Sequence, residues 1–137
     1  MAAKVLSTTD PKTIKHLGRQ VKPFVEAVWL SNRERIVQEA SYFKFKNTTI
    51  NHVQSSETGK KTDLRKALLE TGDRELIEAS PFDKIWGIGF SKDKVPVNRR
   101  MWGMNLLGKA LMNARTKLRA EEVEPKKMEE EVDKSEK

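Results

Sequence analysis

One short stretch brings together the residue types that chemistry on a charged, ring-bearing ligand needs. In Glu78-Ala79-Ser80-Pro81-Phe82-Asp83-Lys84-Ile85-Trp86-Gly87-Ile88-Gly89, a carboxylate stands three residues before an indole, between a proline and two glycines. A carboxylate can stabilise positive charge that develops in a transition state, and an indole can stack on a planar ring. Pro81 steers Ser80 toward extended backbone, while Gly87 and Gly89 permit positive φ or close approach of another segment. Asp83 and Trp86 are therefore expected on a tight loop at the end of a short strand over 75–79. The competing reading is an ordinary turn with a core tryptophan and a solvated aspartate.

Other residues could serve the same ligand. Arg19 and Lys22 lie just before Pro23 and could hold an anion such as phosphate. Trp29 is a second ring for stacking, although its place in an apolar helical stripe suits a core residue equally well. Asn105 could contact a substrate or cap a helix. The chain has no cysteine, and its two histidines, His16 and His52, lie far apart with no ligand spacing, so no metal or other cofactor is expected. No apolar run is long enough to span a bilayer, and residues 1–20 are too polar for a secretory signal. The expectation is a protein of the cytosol or nucleus that does not enter a membrane.

Charge narrows the class of partner. The formal net charge of the 137 residues is +7, but residues 121–137 carry eight acidic and four basic groups, which leaves +11 on residues 1–120. A body this basic favours nucleotides, phosphorylated sugars or nucleic acid, unless the charge serves solubility alone.

The elements that must position these residues are mainly helical. Thr9-Asp10-Pro11 reads as a helix start, with Ile14 and Leu17 inward and Gly18 as a stop. Over 24–46, Phe24, Val28, Trp29, Ile36, Val37, Ala40 and Phe43 recur at spacings of three and four. That pattern predicts one long helix with an apolar face, or two abutting ones with Ser31 or Asn32 as the second N-cap. Asn47 to Asp63 is polar and aperiodic, which reads as a long loop. Asp63 caps a helix over 64–71, ended by Gly72. Ile88 and Phe90 form a brief second strand, and 91–101 a loop with a basic rim. Asn105 opens the last helix, whose apolar stripe is Leu106, Leu107, Ala110, Leu111, Ala114 and Leu118. Beyond Ala120 the Glu/Lys-rich tail is expected to be disordered or a solvated helix.

The 78–89 block, followed by Trp102-Gly-Met-Asn-Leu-Leu-Gly-Lys-Ala-Leu-Met-Asn-Ala-Arg115, resembles the C-terminal half of the NADAR domain, also called YbiA-like. Trp29, Arg33, Ile36, Val37, Ala40, Lys44 and Phe45 resemble an earlier part of the same pattern. The resemblance runs over about Ala2–Arg119, with 47–63 as an insertion. It implies a compact multihelical domain over 1–120 with one or two short strands. It also implies N-terminal truncation, because the family's opening segment, which supplies a catalytic glutamate and a lysine, has no counterpart before Val5. The family implies hydrolysis of N-glycosidic bonds in phosphorylated pyrimidine intermediates of riboflavin synthesis or in ADP-ribosylated guanine of nucleic acid. On that reading Asp83 is catalytic, and Trp29, Trp86, Gly87, Arg19, Lys22 and Asn105 bind substrate. The alternative is a remnant that binds nucleotide, ADP-ribose or nucleic acid without cleaving it.

Overall fold

The computed structural model describes residues 2–47, 63–95 and 99–135. Five α-helices dominate: α1 Ala2–Leu6, α2 Pro11–Arg19, α3 Glu26–Lys46, α4 Leu64–Leu69 and α5 Leu106–Ser135. Single 3-10 turns lie at Lys92–Lys94 and Arg99–Met101. The mainly helical architecture read from the sequence holds. The segment expected as an insertion falls almost wholly outside the described residues, and α5 takes in the charged tail as far as Ser135.

Two compact units are present, residues 1–33 and 34–137. In the first, α1 lies against α2. Asp10 caps α2 as its sequence position predicts, its carboxylate accepting from the Lys12 and Thr13 amides at 3.3 and 2.9 Å. Gly18 does not end this helix; the chain turns at Gln20, one residue past Arg19. The α1 helix is a feature that periodicity could not announce, since five residues barely exceed one turn.

The α3 helix is single and unbroken. Ser31 and Asn32 do not cap a second helix; both sit mid-helix and donate back to the carbonyls of Ala27 and Val28, each at 2.8 Å. Most of the apolar residues expected to face a core are exposed instead. Phe24 retains 64% of its accessible surface, Val28 60%, Ile36 42% and Phe43 54%. Periodicity shows that a helix has an apolar face, but it does not show what covers that face.

The second unit has a true core. Leu68 of α4 and Ala114 and Leu118 of α5 are buried together, with Tyr42, Phe45, Leu69, Leu76 and Leu111 packed around them. Full burial of a leucine such as Leu118 contributes on the order of 2–3 kcal/mol. Asp63 caps α4 through the amides of Arg65 and Lys66, as predicted. The C-terminal end of α3 is tied to α5 through Glu121, which accepts from the Tyr42 hydroxyl and from Lys46 Nζ at 3.0 Å. Arg115 is buried on α5, and its Nη1 donates to Thr71 Oγ1 at 2.7 Å and to the Arg74 carbonyl at 2.9 Å. That guanidinium fixes the turn after α4 and hence the start of the segment leading to Asp83.

Candidate functional site

The segment 75–79 runs outside any helix and is held by isolated hydrogen bonds rather than by a regular ladder among the described residues. The Ile88 amide donates to the Glu78 carbonyl at 2.9 Å, and the Gly103 amide donates to the Ile88 carbonyl at 2.9 Å. These bonds join 78, 88 and 103 side by side, although the short strands expected over 75–79 and at Ile88 and Phe90 do not appear as regular strands among the described residues.

Asp83 closes the loop on itself. Its Oδ1 accepts from the Ile85 amide at 2.9 Å and the Trp86 amide at 2.7 Å, an Asx-type turn. The Trp86 amide, with those of Ile85 and Gly87, holds the Asp83 carboxyl below the usual carboxylate range, while its partial burial opposes them. A carboxylate stabilised in this way stays ionised at neutral pH. It can stabilise a neighbouring cation, and it is poorly suited to donate a proton.

The loop also seats the last helix. The carbonyls of Lys84, Ile85, Trp86, Gly87 and Ile88 accept from the amides of Met104, Leu106, Leu107, Asn105 and Gly103, at 2.7 to 3.2 Å. The first amides of α5 are therefore engaged by protein, and this helix start does not present them to a phosphate. Glycine is required where backbones meet. A Cβ at Gly87 would lie 2.7 Å from the Glu78 carbonyl oxygen, and one at Gly103 only 2.2 Å from that of Lys84.

Asn105 stands immediately before α5, as the sequence predicts, but its side chain is spent elsewhere than on capping. It adopts φ 51°, a left-handed conformation that asparagine tolerates better than most residues. Its side chain is buried; Oδ1 accepts from the Glu78 amide at 3.0 Å and Nδ2 donates to the Leu76 carbonyl at 2.9 Å. Its backbone carbonyl accepts the first helical bond, from Lys109 at 3.0 Å, but the side chain caps nothing. It clamps the 76–78 segment as a neighbouring peptide would. Gly108, one turn on, leaves room for that clamp: a Cβ there would sit 2.1 Å from the Leu76 carbonyl oxygen.

The structure thus brings Asp83, Trp86, Gly87 and Asn105 together in one hydrogen-bonded block. Trp86 is half-buried there, its amide bonded to Asp83 and its carbonyl to Leu107. Arg19, Lys22 and Trp29 belong to the other unit. Arg19 and Lys22 line an open concavity of about 900 Å³ with Gly18, Val21, Pro23 and Phe24. Its floor is largely apolar and its two cations are exposed, a combination that suits a ligand with a flat apolar part and an anionic part. Trp29 is half-buried on α3. Sequence reasoning overlooked Gly103 and Gly108 as contact points, although both stand in the Trp102–Arg115 block and glycine is the residue that close backbone approach demands. Among the described residues no three His, Asp or Glu side chains gather in a way that could hold a metal ion. No described helix is long and apolar enough to cross a membrane.

The NADAR domain model matches residues 1–119. The N-glycosidase R617 of Acanthamoeba polyphaga mimivirus is 39% identical over 114 residues, covering 82% of this chain and 59% of that protein. The N-glycosidase Npun_R5314 of Nostoc punctiforme is 33% identical over 113 residues, 82% of this chain and 58% of its own length. Protein irg-1 of Caenorhabditis elegans is 33% identical over 122 residues, 86% of this chain and 51% of its own. The chain spans between half and three-fifths of the curated relatives it matches. A family match over nearly the whole described body, with the 78–89 and 102–115 blocks folded into one unit, places the chain in the NADAR domain family.

Proposed function

We propose that this chain is an N-glycosidase-like protein acting on a phosphorylated or ADP-ribosylated nucleoside. The observation that carries the reading is Asp83, a carboxylate kept ionised by backbone amides on a loop locked to α5. Hydrolysis of an N-glycosidic bond breaks the bond from the anomeric carbon to the base nitrogen, with the electron pair leaving on the base. Water adds its oxygen to the anomeric carbon, and its proton ends on the departing base. Positive charge accumulates on the sugar between these events, and a fixed carboxylate beside it lowers the barrier. Asp83 takes that electrostatic role. Trp86 is the candidate in this unit for stacking on a ring. Trp29, Arg19 and Lys22, in the other unit, are proposed there as stacking and phosphate-holding residues in their own right. Gly87 and Asn105 act by positioning the loop. The names of the mimiviral and cyanobacterial relatives support the reaction class. A cytosolic or nuclear setting is part of the same proposal.

The test is incubation with ADP-ribosylated guanosine and with the phosphorylated pyrimidine intermediates of riboflavin synthesis, following free base by chromatography. Wild type is expected to release base, and Asp83→Asn to release it about a hundredfold more slowly. Absence of release by the wild-type chain from every one of these substrates would remove the enzymatic reading.

One observation favours a second reading, in which the chain binds nucleotide, ADP-ribose or nucleic acid without cleaving it. The Asp83 carboxylate already serves the loop's own amides, a sufficient structural reason for an aspartate at this position. Here ADP-ribose binding weakens with added salt and survives Asp83→Asn.

A further inference from the structure

Hydrolysis beside Asp83 leaves one task without a residue. A proton must leave the attacking water and reach the departing nucleobase. The Asp83 carboxyl, held ionised by the amides of Trp86, Ile85 and Gly87, is poorly suited to carry it. The carrier has to be titratable, uncommitted and fixed beside the same loop.

Few groups meet those terms. The described part of this unit contains no histidine. Glu75 is bonded to Arg99 at 2.6 Å, and Asp93 is engaged first by Ser91. Lys84 lays its stem over Gly89, where an added Cβ would meet Cγ at 2.6 Å, and a cation there would oppose positive charge growing on the sugar. Glu78 differs from all of these. Its side chain is exposed, and among the described residues its carboxylate enters no hydrogen bond or ion pair.

Glu78 is also firmly placed. Its amide donates to Asn105 Oδ1 at 3.0 Å, and its carbonyl accepts from the Ile88 amide at 2.9 Å and the Ser80 amide at 3.0 Å. The point that a Cβ would occupy on Gly87 lies 3.2 Å from Glu78 Cγ and 2.9 Å from the Asp83 carbonyl oxygen. The Glu78 stem and the Asp83 turn therefore meet over Gly87, the residue next to Trp86. The carboxyl carbon is one bond beyond that Cγ.

We propose that Glu78 is a catalytic residue, the proton carrier between the attacking water and the departing nucleobase. The inference rests on the N-glycosidase reading above. As the water oxygen bonds to the anomeric carbon, a Glu78 oxygen accepts its proton. The bond to the nucleobase breaks with the electron pair on nitrogen, and the proton then passes from Glu78 to that nitrogen, which restores the carboxylate. Asp83 supplies fixed charge and Glu78 moves the proton. A carboxylate with no structural bond to break can take and release a proton freely, which the Asp83 carboxylate cannot do.

The experiment is steady-state kinetics of the full chain on whichever of the substrates named above wild type cleaves, with Glu78→Gln and Glu78→Ala beside it. Glu78→Gln is expected to lower kcat about a hundredfold or more and to change KM by less than about twofold. Glu78→Ala is expected to be equally slow, and added formate to restore part of its rate by standing in for the missing carboxylate. Formate is expected to leave Glu78→Gln unchanged, because the amide fills the place. Circular dichroism establishes that both variants are folded. A wild-type kcat in Glu78→Gln overturns the proposal, as does a loss carried by KM alone. A slow Glu78→Ala that formate does not rescue also overturns it, since the side chain would then only position the loop. The two levels of inference fail separately. No release by wild type removes the reaction and Glu78's part together, whereas a slow Asp83→Asn beside an unimpaired Glu78→Gln removes Glu78's part alone.

Discussion

The two ends of the described chain use similar raw material to opposite effect. Residues 24–30 and the last helix both place apolar residues at helical spacing. On α5, Leu106, Ala110, Ala114 and Leu118 are all buried to within 4% of complete. In the first unit, Phe24, Val25, Val28 and Leu30 remain at least 49% exposed. The difference lies in what surrounds them. The α5 stripe meets α4, the 75–79 segment and the Asp83 loop, which glycines allow to approach at backbone contact distance. An amphipathic pattern is thus a demand for a partner surface, and only one of the two regions has that demand met among the described residues.

Substitutions can break this contrast at its strongest point first. Gly108→Ala drives a methyl group into the Leu76 carbonyl and the Asn105 amide, so the clamp and α5 cannot both keep their places. A loss of about 3 kcal/mol or more is expected in urea unfolding, and a loss under about 1 kcal/mol would show that the contact yields easily.

Asp83→Asn keeps the Oδ1 acceptor and removes only the charge, so it is expected to cost less than about 1 kcal/mol at pH 7. The native carboxyl titrates lower than in the unfolded chain, so its contribution is fully present above the ordinary aspartate range, about pH 4. It is lost as pH falls through the lower native value. Wild type and variant are therefore expected to converge in stability toward acid, which parallel thermal melts across pH would read. A gap that persists below that range would show that the carboxylate charge is not what matters.

Val28→Ser tests the other side of the comparison and should have the smallest effect, within about 0.5 kcal/mol. A thermal shift equivalent to more than about 1 kcal/mol would mean that the α3 face is covered after all.

Several elements were legible residue by residue. Asp10 and Asp63 announced their helices because a cap is a local device, made by a side chain and amides two or three positions ahead. The stripe on α5 was legible for a similar reason. Asp83 as the organiser of a stiff turn was also within reach, since Pro81 and Gly87 bracket it. What its carboxylate does was not legible, because a catalytic and a capping aspartate have the same letter and the same neighbours. Ser31 and Asn32 misled for the reason that they favour caps generally, and here each bonds back within α3 instead.

By itself, then, the sequence determined the helical class, most of the helix starts and the family to which the blocks at 78–89 and 102–115 belong. These rest on contacts within a few residues or on motifs read in order. Only the tertiary structure decided that Asn105 holds the backbone 27 and 29 positions away, and that five loop carbonyls seat α5. It likewise decided that Phe82 is exposed and that, among the described residues, Val28, Ile36 and Phe43 of α3 stay largely uncovered while Tyr42 and Phe45 pack on the core. Each of these depends on which distant segments come to share one small volume, and no local pattern carries that information.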